Sequence, residues 1–444
     1  MSKHLNMTEG KPLRLIILFA YPLMLVGILQ LCYTLVDSAV VGRLLGVNSF
    51  ASVGATANPH WLVFGALMST THGFGVALAQ RFGAKDYEGL NKTFSTAVII
   101  SVTLGTVAGF AGVFGSKSVL VLLNTPPELL NDAALYLSFL LGGMPLTIFY
   151  NLLGSALRAI GDSRTQLRAM IFSTLLNIAL DIALVIPLGI AGVAIGTLLA
   201  QLAACVYCLR VIWKAGIIKK PERIWDTASA KELVRIGTPL GLVTAVTEIG
   251  ALIVQRYINV YGIEFVAGMA AATRLYNLLV IVAGAIEGAV ATFVAQNFGA
   301  KLLERVKLGV TVGRRLMFVS SAIIMAFALL FGRRILSLLV EGEPEQLAAV
   351  LDAGQRQFMM FTLGLPILCL LVLYKAALVG VGNTVIPMLS GFFELTMRIL
   401  SVMLLTSFLG VWGVHLAVAS GWVAAAILLI ISFNVIYGKL IRSS

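Results

Sequence analysis

The chain has 444 residues, of which 59% are hydrophobic and only 12% charged, with a formal net charge of +12. A soluble domain carries about 25% charged residues, so the composition excludes an ordinary water-soluble protein and indicates a polytopic membrane protein. The basic balance would suit a nucleic-acid partner, but the positions of the charges account for it without one.

A spanning helix needs about 20 largely apolar residues. Twelve such runs follow one another, at about 15–42, 50–80, 93–115, 132–156, 166–187, 190–212, 235–261, 265–298, 309–332, 349–376, 385–408 and 411–438. The first is too long for the core of a signal peptide and has no cleavage site, so it reads as the first span. With the amino terminus cytoplasmic, 23 Lys and Arg flank the spans on that side against 5 outside. That bias places both termini in the cytoplasm and the chain in a cell (inner) membrane. It also explains the basic charge.

The chain is written twice. "AQRFGAK" (79–85) recurs as "AQNFGAK" (295–301), and Pro22 answers Pro239 at nearly the same offset. Later the offset lengthens slightly, pairing Pro145 with Pro366, Gly161 with Gly382, and "LGIAGV" (188–193) with "LGVWGV" (409–414). Six spans per copy is an even number, so both copies enter the membrane from the same side, as a parallel repeat. The expected fold is an all-α polytopic membrane protein of two six-helix lobes, 1–212 and 235–444, joined by a polar cytoplasmic linker, 213–234.

Charges well inside the spans separate the lobes. The first has only Asp37 and Asp181; the second has Glu248, Glu287 and Glu394 against Arg256, Arg274, Lys375 and Arg398. Glu394 and Arg398 stand four apart, the same-face spacing, and the second-lobe set reads as an internal ion-pair network. The two acids of the first lobe have no such partner, and a carboxylate at mid-bilayer costs about 2.5–3.5 kcal/mol. A cation that comes and goes is the economical partner. At about 1.5 Å per residue, Asp37, Asp181 and Thr197 all lie roughly 7–9 Å below the outer surface. Asn177 is one turn from Asp181 on the same face. Two carboxylates, an amide oxygen and a hydroxyl at one level suit Na⁺ or a shared proton. Gln30, Tyr33 and Asp37 form one polar stripe on the first helix, which also carries Pro22, a residue that permits a bend.

The four cysteines all lie in apolar runs, and Cys205 and Cys208 read as packing residues; the four histidines form no metal-ligand spacing. No HExxH, GxSxG or P-loop pattern occurs. No cofactor is called for besides a coupling ion, H⁺ or Na⁺, and no enzyme activity is expected.

At these residues the chain resembles the MATE (multidrug and toxic compound extrusion) transporters. The resemblance rests on "YPLMLVGILQLCYTLVDSAVVGRLLG" (21–46), "AQRFGAKDYEGLNK" (79–92), "YNLLGSALRAIGDSRTQL" (150–167) and "LLNIALDIAL" (175–184). It implies a V-shaped, monomeric antiporter that expels amphipathic, often cationic compounds by alternating access. It implies cation ligands at Asp37, Asn177, Asp181 and Thr197, a bending proline at Pro22, and cavity residues at Gln30, Tyr33, Tyr136 and Asn151. Helix 10 of the subgroup with a second-lobe cation site carries an acid; the corresponding stretch here, 363–380, has Lys375 and no acid, which departs from that pattern. The same superfamily includes flippases for lipid-linked, anionic substrates, which stand as the alternative.

Overall fold

A computed structural model describes residues 5–219, 224–339 and 344–443. Among them the chain forms thirteen helices and no strand. In order they are α1 (Pro12–Leu44), α2 (Val47–Gly83), α3 (Tyr87–Leu122), α4 (Pro127–Gly142), α5 (Met144–Ala159), α6 (Ser163–Leu188) and α7 (Ile190–Ala215). The second half supplies α8 (Thr227–Asn259), α9 (Ile263–Gly299), α10 (Leu303–Ser337), α11 (Pro344–Gly380), α12 (Val385–Leu409) and α13 (Val411–Ser443). Eleven described helices are long and apolar enough to cross a membrane, and α4 with α5 makes a twelfth span. Large apolar side chains lie bare along them, among them Phe114, Leu122, Ile186 and Phe408, each more than three-quarters exposed. In water such a surface would aggregate; in lipid it is the required solvent-facing side.

The fourth run differs from expectation. It is broken rather than continuous, with a 48° bend between α4 and α5 at Gly143. Pro145 lacks the N–H that a through-running helix needs at that point, and the Leu198 side chain fills the place a Cβ on Gly143 would take. The matching Pro366 lies inside the unbroken α11. Likewise α1 runs unbroken through a buried Pro22.

Two compact units divide the chain. The first is built mainly from Tyr21–Gly241 and the second from Gly10–Ala20, Leu242–Phe298 and Leu302–Ser444. In the first unit one core forms around Phe64, Leu120, Leu137, Met144 and Ile148, and another around Phe74, Ala97, Leu152, Leu233 and Ile236. The start of α8 is tied down there by Arg81, which pairs with Glu232 at 2.9 Å and Asp86 at 3.1 Å. Just ahead of α8, Asp226 accepts the Ser229 N–H at 2.7 Å; hydrogen bonds from the Ser229 side chain and backbone hold its carboxyl below the ordinary value.

The duplication is visible in the backbone. Left-handed residues recur as Gly46 and Gly262, Lys85 and Lys301, Gly161 and Gly382, Gly189 and Gly410. The last pair makes the same one-residue turn in both units, between α6 and α7 and between α12 and α13.

Helix association in lipid depends on close packing rather than on burial from water. Gly105 on α3 shows this, since a Cβ there would sit 2.7 Å from the Pro145 Cα. Gly105→Val should lower the detergent melting point, with a cost of about 1–3 kcal/mol, whereas Gly115→Ala, which meets nothing within 4 Å, should not. Equal melting points for the two variants would contradict this packing account.

Candidate functional site

In the first unit four helices bring polar groups to one place. Thr174, Asn177 and Asp181 follow a 3–4 spacing and so share one face of α6. Asn177 and Asp181 are both 0% exposed, and the Asn177 Nδ2–H donates to Asp181 Oδ1 at 3.1 Å. From α1, Asp37 comes close enough to Asp181 for the two carboxyls to interact, and Tyr33 stands one turn away. Tyr33 lies in the field of both acids and points its hydroxyl toward Thr197 of α7; buried Tyr136 of α4 also faces the acids.

Gly196 allows this approach. A Cβ there would stand 2.5 Å from Asp181 Oδ1, so a larger residue would push the carboxylate out of its present position. One turn beyond the acids, Val41 and Val185 join Tyr136, Ile190, Val193 and Ala194 in an apolar layer that seals the site toward the Gly189 turn.

The site is rich in unspent acceptors. Asp37 Oδ1, Asp181 Oδ2, Asn177 Oδ1, Thr197 Oγ1, Thr174 Oγ1 and Tyr33 Oη are all buried without a hydrogen bond of ordinary length. Buried polar atoms are normally paired with protein, water or an ion, and these six have no protein partner at ordinary hydrogen-bond length. Two like charges about 4 Å apart repel by about 4 kcal/mol at an effective dielectric of 20. All four expected ion ligands and Tyr33 and Tyr136 therefore meet. Gln30 is exposed, and Asn151 instead donates to the Thr147 carbonyl at 2.9 Å. Thr174 and Gly196 escaped the sequence reading; only the 3–4 spacing of Thr174 pointed to it.

The repeat supplies an internal comparison. At the same offsets, Asp37, Asp181 and Gly196 correspond to Val254, Val402 and Ala417. Those three residues are buried together in an apolar cluster with Ile258, Phe265, Met269 and Val414. The fold thus packs this position without any charge, so the acids of the first unit serve something other than packing.

The second unit's charges are mostly spent internally. Lys375 pairs with Glu287 at 3.0 Å, and Arg398 pairs with Glu394 one turn away on α12. Glu248 is half-buried, whereas Arg256 and Arg274 are exposed and form no ion pair among the described residues. Cys205, Cys208 and Cys369 are free and buried, and Cys32 is free and exposed.

The MatE family model matches the chain twice, at residues 22–183 and 239–404, once in each copy of the repeat. The chain belongs to the MatE family. The probable multidrug resistance protein YpnP of Bacillus subtilis is 30% identical over 304 residues, 67% of each chain. The probable multidrug resistance protein NorM of Thermotoga maritima is 23% identical over 397 residues, covering 86% of this chain and 82% of its own. Among solved structures, a crystal structure of MATE in the bent conformation superposes with a TM-score of 0.91 at 21% identity, over 100% of this chain and 99% of that one.

Two outcomes test this MatE site and its second-unit counterpart. Because valines fill the matching positions, the double variant Asp37→Val, Asp181→Val should melt no lower than the parent protein, and replacing buried charges often raises stability by about 1–4 kcal/mol. A markedly lower melting point would make the acids structural. Conversely, Glu394→Gln should destabilise by about 3 kcal/mol, since it strands a buried guanidinium; an unchanged melting point would show that the pair holds nothing together.

Proposed function

We propose that this multi-pass membrane protein is a cation-coupled antiporter that exports amphipathic, mainly cationic organic compounds. The coupling ion is H⁺, Na⁺ or both. The observation that carries the reading is the set of buried, unpaired oxygens that α1, α6 and α7 aim at one point in the first unit. Oxygen donors of this kind, two of them carboxylates, are ligands for hard cations. The names of the B. subtilis and T. maritima relatives support export of drugs.

Asp37, Asn177, Asp181 and Thr197 hold the ion; Tyr33 and Tyr136 line the place where substrate and ion exclude one another. With no cation bound, the repulsion between the two carboxylates favours a cationic substrate nearby. When the ion binds, that charge is cancelled, α1 and α6 pack more closely, and substrate is released. Antiport requires the ion to prefer the conformation that binds substrate poorly, since equal affinity for both would shift nothing. Pro22 gives α1 a point at which to yield. Both termini are cytoplasmic, by the positive-inside count. A carrier of anionic lipid-linked substrates would present guanidinium groups to its cargo, whereas this cluster consists of acids, an amide and hydroxyls.

Asp37→Asn and Asp181→Asn keep size and delete charge. In proteoliposomes each should slow fluorescent-cation export under a proton or sodium gradient by about tenfold or more, with the protein still folded. Parent-like export by either variant would overturn the reading.

A further inference from the structure

A second polar strip continues from the site through the first unit. Gln201 lies one turn beyond Thr197 on the same face of α7. The Thr147 hydroxyl on α5 donates to Gln201 Oε1 at 2.7 Å. Asn151 is one turn along α5 and bonds the Thr147 carbonyl, and Ser155 is one turn further. Ser155 accepts from Arg158 Nη2 at 2.7 Å, while Arg158 Nη1 donates to Gln166 Oε1 at 3.0 Å. Thr147 is 7% and Ser155 2% exposed, whereas Asn151 and Gln201 are half-buried.

The repeat again offers a comparison. Thr147, Asn151, Ser155, Arg158, Thr197 and Gln201 correspond to Leu368, Val372, Ala376, Val379, Val418 and Trp422. Every polar position has an apolar counterpart on the matching helices. Leu368, Ala376, Val379 and Trp422 are all buried. Packing α5 against α7 therefore needs none of these polar groups.

We propose that Thr147, Gln201 and Asn151 form a transfer station for the coupling cation, between the Asp37–Asp181 site and the Arg158 end of the span. The ligand is a small monovalent cation, Na⁺ or hydronium, passed by exchange of oxygen ligands with no covalent step. Thr197 Oγ1 belongs to the coupling site, and the next oxygens inward are Gln201 Oε1 and Thr147 Oγ1. In the structure these two are bonded to each other, which closes the station. Rotation of Gln201 away from Thr147 frees two oxygens at once. At the far end Arg158 spends its terminal nitrogens on neutral acceptors and forms no ion pair among the described residues, so its positive charge keeps a cation from resting there. The inference rests on the antiport reading, with the Arg158 end cytoplasmic.

The test uses the full chain in proteoliposomes, with Gln201→Leu and Gln201→Glu. Gln201→Leu should slow export about tenfold under a sodium gradient, a proton gradient or both, according to the ion carried. Equilibrium displacement of a fluorescent cationic substrate by Na⁺ or H⁺ in detergent should remain at the parent midpoint. Gln201→Glu, which keeps the oxygen, should restore most of the rate. Parent-like export by Gln201→Leu, or equally slow export by both variants, would overturn the station. So would loss of equilibrium displacement in Gln201→Leu, which would make Gln201 part of the coupling site. Failure of the antiport reading itself is distinct, because it shows as retained coupling in the Asp37 and Asp181 variants.

Discussion

Two carboxyl groups, the half-buried Asp37 and the fully buried Asp181, face each other in a helical unit surrounded by hydrocarbon. Nothing in lipid hydrates them, and no lysine or arginine of their own unit lies at comparable depth. Much of the first unit's local architecture follows from that juxtaposition. Asn177 supports Asp181 from one turn away, Gly196 gives up its side chain so that α7 reaches the carboxylate, and Val41 and Val185 close an apolar layer beyond. In the proposed function a mobile charge completes this poorly satisfied cluster.

The duplication turns this into a controlled comparison. Both units use the same one-residue glycine turn and the same left-handed backbone positions, so their local frames are alike. Yet the acids of one are valines in the other, and the polar face of α5 is apolar on α11. The second unit keeps its charges as Lys375–Glu287 and Glu394–Arg398. Arg398 stands where the first unit has Asn177, and its guanidinium makes a fixed ion pair where the first unit offers an open amide oxygen. One copy is thus chemically open and the other largely self-satisfied.

Much of this was legible in the sequence. Apolar runs of 20 or more residues locate the spans, and the recurrence of "AQRFGAK" as "AQNFGAK" reveals the repeat. Asp37, Asp181 and Thr197 could be grouped because helical rise puts them at one depth, and Asn177 because it lies one turn deeper on the face of Asp181. The 48° break at Gly143 was not legible, because a proline in an apolar run either bends or is absorbed, and Pro366 shows the second outcome. Gly196 and the Thr147–Gln201 bond depend on which helices touch, which periodicity does not state. The pairing of Lys375 with Glu287 is of that tertiary kind, while Glu394–Arg398 lies within a single helix and could be read directly. Arg256 and Arg274 looked like network members by depth but lie exposed, since depth along a helix says nothing of the face.

The central claim is that one exchangeable cation sits between Asp37 and Asp181. Infrared difference spectroscopy on purified protein tests it most directly, by following the carboxyl and carboxylate bands as sodium is added or pH is changed. The account predicts a change in the parent protein that is abolished in the Asp37→Asn, Asp181→Asn double variant and partly reversed by adding a cationic substrate. An undiminished change in the double variant would place the exchangeable cation elsewhere and contradict the account.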